Sequence, residues 1–276
     1  TEDALQVSFV QSGKEFCIGK LCLTEGKTTD VWPVGSSFQA EFCLKIPEIL
    51  PTGNYTVVLK NTGGTIGLIK VSRENQSITT ASHIQSVNGK PTLFVNGQAQ
   101  VPLWYARPEN PDLYEAHTVT KFAEAGIDTV VTYVFLNNNY GDVWTPNGFV
   151  HQAVDDMMWA TLSGNPDAKL IVALDVNAPK WWLDEHPEEL ATLENTTPDR
   201  TGASFASDLW KQESGAIMVE VIEYLLTQPY ANNIVGFKVT GGYTLEWNWW
   251  ALSGSNTDVG DFSECGIHAF RAWFQN

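Results

Sequence analysis

The chain falls into two stretches with different hydrophobic rhythms. In residues 1–85 the period is two. Residues 4–10 alternate, and residues 37–44 put Phe38, Ala40, Phe42 and Leu44 on one face. Residues 55–59 and 66–71 follow, separated by Asn61-Thr62-Gly63-Gly64, while Pro51 and Gly53 punctuate a connection. Alternation with Gly and Asn turns about every ten residues predicts short antiparallel strands stacked as a small β-sandwich. Two Asn-Gly pairs, Asn88-Gly89 and Asn96-Gly97, then predict a hairpin linker over 86–100.

From residue 101 the rhythm changes. Strands are predicted at 101–106, 129–134, 169–174 and 234–240. Helices are predicted at 113–125, 150–162, 209–228 and 264–274, with Gly126 ending the first and Pro229 stopping the third. His186-Pro187-Glu188 reads as the start of a short helix with Pro in its first turn. Apolar strands alternating with amphipathic helices signal parallel βα units. No glycine-rich phosphate loop follows any strand, which argues against an open doubly wound sheet. The expected fold class is therefore α/β plus all-β. A β-sandwich (1–85) and a hairpin linker (86–100) precede the N-terminal half of a (β/α)8 TIM barrel (101–276), four of its eight units. The other units would lie outside this sequence or come from another chain, and uncovered strand edges would let copies pair as a homo-oligomer or polymer.

Composition narrows the function classes. A net charge of -16 argues against a nucleic-acid partner, which needs clustered Lys and Arg. No uncharged apolar run is long enough to span a bilayer. No Cys or His spacing matches a zinc site, so neither a metal nor a cofactor is expected. The sequence starts at Thr1 with no signal-peptide pattern, which fits a processed, exported protein and equally a trimmed chain. Sequons at Asn54, Asn75 and Asn195 permit glycosylation in a host that performs it. Together these lead to an expected secreted or extracellular location. Cys17 and Cys22 are spaced to face each other across a tight hairpin and Cys43 lies on a later strand, so one disulfide among the three is expected in an oxidising compartment.

The chemistry collects after the strands. The expected loops hold Arg107 and Glu109, then Tyr133, Asn137 and Asn138, then Asp175, Asn177, Trp181 and Trp182, then Tyr243, Glu246, Trp247, Trp249 and Trp250. Flat aromatic faces stack on the C–H surface of a sugar, and amides and carboxylates bond its hydroxyls. Trp181 and Trp182 read equally as a core pair, and Arg107 with Glu109 as a structural ion pair. Glu246 stands apart: it lies just past a strand's carboxyl end, where its apolar neighbours Leu245 and Trp247 favour the protonated acid.

Several segments in order resemble clan A glycoside hydrolases, especially the family 42 β-galactosidase-like group. They are residues 91–97 with 102–106, residues 122–127, Ala178-Pro179-Lys180-Trp181-Trp182 with His186-Pro187-Glu188, residues 204–207 with Trp210, residues 234–237 with Gly241-Gly242 and Glu246-Trp247, and residues 261–263 with 270–273. The resemblance implies a TIM barrel and retaining hydrolysis of β-linked galactosides or related glycans. It makes Glu246 the acid/base; the loop positions make Arg107, Tyr133, Asn177, Trp181, Trp182 and Trp247 the candidate substrate contacts. It also places the nucleophile on a seventh strand, outside this chain. Leu245 stands where many of these enzymes carry Asn before the Glu. The alternative is a non-catalytic extracellular carbohydrate-binding or self-assembling scaffold protein.

Overall fold

A computed structural model describes residues 5–11, 14–23, 42–47, 49–59, 63–72, 77–101, 103–106, 116–137, 143–192, 202–242, 247 and 260–275. The period-two stretch forms strands β1 (Leu5–Gln11), β2 (Lys14–Leu23), β3 (Phe42–Lys45), β4 (Gly53–Leu59) and β5 (Thr65–Val71). They make one antiparallel sheet in the order β3-β2-β1-β4-β5. Its inward alternate positions are Val7, Phe9, Tyr55 and Val57, all buried, with Phe9 opposite Val57. A sandwich needs a second sheet; the described residues before 82 supply one sheet, and 24–41 lie outside them. One expectation is overturned. Residues 14–23 are a single continuous strand, so Cys17 and Cys22 are not opposed across a hairpin; Cys17 pairs with Phe9 instead. Pairing along β1, from Leu21 opposite Leu5 to Lys14 opposite Gln11, holds the segment extended through Gly19.

The hairpin linker forms β6 (Ser82–Val87), β7 (Lys90–Val95) and β8 (Gln98–Ala99). Both turns are left-handed at two successive residues: Asn88 (φ 52) with Gly89 (φ 76), and Asn96 (φ 51) with Gly97 (φ 77). This is the geometry for which Asn-Gly is selected, because its twist matches that of the strands. The segment before β6 is fixed to the second stretch. Asn232 Oδ1 accepts the Thr79 N–H at 2.8 Å, and the Ser82 hydroxyl donates to Val235 O at 2.5 Å.

The second stretch holds β9 (Tyr105–Ala106), α1 (Ala116–Glu124), β10 (Thr129–Phe135), the short hairpin β11 (Trp144–Thr145) and β12 (Gly148–Phe149), and α2 (His151–Leu162). After these come β13 (Lys169–Asp175), α3 (Lys180–Glu185), α4 (Asp208–Thr227), β14 (Ile234–Thr240) and α5 (Glu264–Phe274). Strands β9, β10, β13 and β14 form a parallel sheet in chain order, with no reversal. The expected first strand is shorter than predicted: Leu103 and Trp104 are exposed and outside it. Gly126 (φ 83) closes the first helix region, and the hydroxyls of Ser207 and Ser263 cap α4 and α5 by accepting the N–H of Trp210 and Gly266. Pro187–Glu189 forms the single 3-10 turn expected there. No helix among the described residues is long and apolar enough to cross a membrane.

Register assigns the two faces of the parallel sheet. Val130, Thr132 and Val134 pair laterally with Leu170, Val172 and Leu174, and all six are fully buried. Thr132 takes a hydroxyl bond from Thr161 of α2 at 3.1 Å, so this face is the one covered by helices. Tyr133, Phe135, Asp175 and Thr240 therefore share the opposite face, at the carboxyl ends of their strands.

Helices α2 and α4 are locked by Asp155, whose carboxylate accepts the hydroxyls of Tyr224 at 2.8 Å and Tyr230 at 2.7 Å. Burial first, then the Asp155 charge and hydrogen bond, hold both phenols well above their ordinary value of 10.0. The linkage sign follows: the unfolded phenols ionise near pH 10 while the folded ones do not. Their stabilisation is complete below pH 10 and is lost as pH rises beyond it. We expect the urea midpoint to fall steeply between about pH 9.5 and 11. In Tyr230→Phe that alkaline slope should be shallower, and an unchanged slope would show that these phenols do not govern it.

Candidate functional site

At the carboxyl end of the parallel sheet one acid organises three loops. Asp175, the last residue of β13, is fully buried. Its Oδ2 accepts the Asn137 side-chain amide at 2.7 Å, and its Oδ1 accepts the backbone N–H of Asn177 at 3.0 Å. Asn177 then clasps the loop after β14 at two points. Its Oδ1 accepts the Gly242 N–H at 2.8 Å, and its Nδ2 donates to Gly242 O at 3.1 Å. The pair of bonds imitates one more step of strand pairing, so the loop leaving β14 is docked against the loop leaving β13. A buried carboxyl group needs hydrogen-bond partners, and the Asn137 amide and the Asn177 backbone N–H supply them.

The docked loop ends at Trp247. Its φ is 58, left-handed backbone that a bulky residue rarely adopts. Two bonds hold it there: Trp247 N–H to Gly241 O at 2.7 Å, and its indole N–H to Val239 O at 3.2 Å. A Cβ at Gly241 would lie 3.1 Å from the Trp247 ring, so glycine is what lets the indole lie this close. The indole is 46% exposed, and its edge meets the Phe205 ring at 5.8 Å between centroids. Phe205 also packs on Trp210, the third residue of α4, whose buried indole N–H has no hydrogen-bond partner among the described residues.

The adjacent tryptophans of α3 part company. Trp182 is fully buried and donates its indole N–H to Glu213 at 2.6 Å, so it has no surface to offer a sugar. Trp181 is half-buried, meets Trp144 edge-on at 5.5 Å, and donates to Trp144 O. Tyr133 is half-buried and stacks on Phe135. Asn177, proposed from sequence as a substrate contact, spends its amide on Gly242. Arg107 and Glu246 lie outside the described residues, as do Glu109, Asn138, Tyr243, Trp249 and Trp250. Of the sequence candidates, the structure thus gathers Tyr133, Asn177, Trp181 and Trp247 at one end of the sheet.

Two features escaped sequence reasoning. Trp144 belongs to a two-residue strand, too short to leave a periodic signal. Asp261 accepts from Ser204 Oγ at 2.5 Å and from the backbone N–H groups of Thr192 and Ser263, tying the loop after α3 to the start of α5. Ser204 and Asp261 are 57 positions apart, and only folding brings them together. Beside this tie, Cys265 donates to Glu189 at 3.2 Å; burial and the carboxylates of Glu189 and Asp261 push its thiol up to about 11. A cavity of about 280 Å³ lined by Pro51, Asp155, Trp159 and Tyr230 lies elsewhere, where α4 leads into β14, away from the strands' carboxyl ends.

No protein-family model and no curated protein matches the sequence. Among solved structures, the chain is similar to a family 39 glycoside hydrolase from the gut symbiont Bacteroides cellulosilyticus WH2, at 12% identity and a TM-score of 0.27. The likeness covers 86% of this chain and 38% of that one, so this chain spans well under half the length of that enzyme. That structure belongs to family 39, whereas the sequence motifs resemble family 42. Roles for individual residues rest on the geometry above.

Proposed function

We propose that residues 101–276 form the first half of a clan A glycoside hydrolase barrel, acting on β-linked galactosides or related glycans. The observation that carries this reading is the turn after β14. Segment 243–246 runs between Gly242, clasped by Asn177, and Trp247, held in left-handed backbone. Backbone strain of this kind costs on the order of 1–3 kcal/mol and persists where the surroundings enforce it, most often at functional sites. Glu246 is the last residue of that segment and directly precedes the half-exposed indole. Glycosidic cleavage requires a general acid beside a stacking surface, and we assign that role to Glu246.

In this reading Glu246 gives its proton to the departing glycosidic oxygen and then takes one from the incoming water. A second carboxylate, about 5–5.5 Å away, forms the glycosyl-enzyme. It would come from further strands beyond β14, which has a neighbour on one side only among the described residues and where Val239 is exposed. The proposed action on galactosides rests on the resemblance of the sequence segments to the family 42 group. The protein is read as secreted or extracellular.

The test is turnover of aryl β-galactosides and galactans by the 276-residue chain beside Glu246→Gln. Both are expected to be near background, because acid catalysis without the nucleophile leaves the oxocarbenium-like transition state poorly stabilised. Supplying the remaining strands should restore activity in the parent alone. Robust turnover by the short chain, abolished in the variant, would place the second carboxylate within these residues.

A second reading, a self-assembling carbohydrate-binding scaffold, draws on one observation. Phe270, Trp273 and Phe274 of α5, the next described element after β14, are 61%, 73% and 75% exposed. Light scattering separates the two: a discrete oligomer or polymer that binds glycan without hydrolysis favours the scaffold.

A further inference from the structure

The register of the N-terminal sheet selects one cysteine pair. Strands β2 and β3 are antiparallel neighbours, and Cys22 is the direct partner of Cys43, flanked by the pairs Leu21–Leu44 and Leu23–Phe42. Directly opposed residues on antiparallel strands have α-carbons about 4.5–5.5 Å apart. A disulfide spans about 4.4–6.8 Å between α-carbons. The other pairings fail on the same backbone. Cys17 lies on the same strand as Cys22, five positions away, which is roughly 17 Å along an extended chain and an odd step that reverses the face. Its cross-strand partner is Phe9 on β1, on the side of β2 away from β3. Cys265 belongs to α5, beyond the parallel sheet, where its thiol is bonded to Glu189.

We propose that Cys22 and Cys43 form a cross-strand disulfide that pins the edge strand β3 and closes the chain between them. Each thiol loses a proton, and the pair gives up two electrons as the S–S bond forms. A small-molecule disulfide of the glutathione class is the oxidant, and it is reduced to two equivalents of its thiol. Strand β3 has four residues and, among the described residues, sits at the sheet edge with a partner on one side alone. A bond there holds the strand that its own ladder holds least. Such bonds persist in oxidising compartments, which accords with an exported protein.

Trypsin cuts after Lys20, so Cys17, Cys22 and Cys43 fall in separate peptides, 15–20, 21–27 and 28–45. The folded full chain is equilibrated in a glutathione disulfide buffer, alkylated without reduction, digested and mapped. The expected result is one bridged species joining 21–27 to 28–45, about 2 Da lighter than the two thiol peptides together, with Cys17 and Cys265 alkylated. Chain oxidised in denaturant should give a mixture of pairings, which shows that the native register does the selecting. Cys17→Ser should keep the bridge, and Cys22→Ser should leave Cys43 open to alkylation. Quantitative alkylation of Cys22 and Cys43 in the folded parent, or a bridge containing Cys17, would overturn the proposal. Mapping of the parent does not depend on whether either variant folds.

Discussion

Trp182→Ala is expected to destabilise the chain by about 3–5 kcal/mol, while Trp181→Ala, one residue earlier, costs about 1 kcal/mol. The difference comes from their surroundings. Trp182 is fully buried, and removing it opens a cavity and strips Glu213 of an indole donor at 2.6 Å. Trp181 is half-buried and loses only an edge contact with Trp144 and one hydrogen bond. On the proposed function the order reverses for binding. Trp181→Ala should weaken galactan binding about tenfold, the worth of one stacked aromatic, while residual folded Trp182→Phe binds as the parent does. Urea midpoints at constant slope and glycan titration together decide the matter. Equal stability losses at the two positions would contradict the assigned packing. Unchanged binding in Trp181→Ala would remove that residue from the site.

Asp175→Ala is the second large effect. The carboxylate is fully buried and accepts from the Asn137 amide and the Asn177 backbone. Truncation leaves both donors without that acceptor in a buried place, at about 1–3 kcal/mol each. A total loss of about 3–5 kcal/mol is expected, and less in Asp175→Asn, which keeps one acceptor oxygen in place. The consequence specific to the site is in the next loop. Asn177 holds Gly242 through both ends of its amide, so slackening Asn177 should release the turn that leads to Trp247. Hydrogen exchange of residues 241–247 is expected to rise more than global destabilisation explains. Exchange that rises only in step with global unfolding would mean that the network serves stability and does not position the turn.

Local pattern carried much of this fold. The four parallel strands were legible because a buried strand of a parallel sheet is apolar throughout, as in residues 129–135 and 169–175. Two of the helices were legible because their ends are marked by Gly126 and Pro229. The hairpin over 82–99 was announced by two Asn-Gly pairs, whose left-handed preference is a property of the residues themselves. The fourth loop could be singled out as chemical from the position of Glu246 after a strand.

Other features depended on residues far apart in the chain. Whether Cys22 faces Cys17 or Cys43 is a question of register, and register is set by which strand lies alongside. Trp181 and Trp182 are identical in sequence terms; the rotation of α3 against α4 and Trp144 buries one and half-exposes the other. Asn177 looked like a sugar contact because a free amide at a strand end usually is one. The approach of Gly242, 65 positions later, turned it into a clasp. The sequence by itself marked the longer strands and helices and the Asn-Gly turns, because those follow from each residue's own backbone preference and the spacing of apolar side chains; it gave no sign of α3 or the β11–β12 hairpin and suggested a turn inside β2. Tertiary structure alone decided which polar groups meet at the end of the sheet, because a hydrogen bond across 65 residues leaves no trace in local spacing.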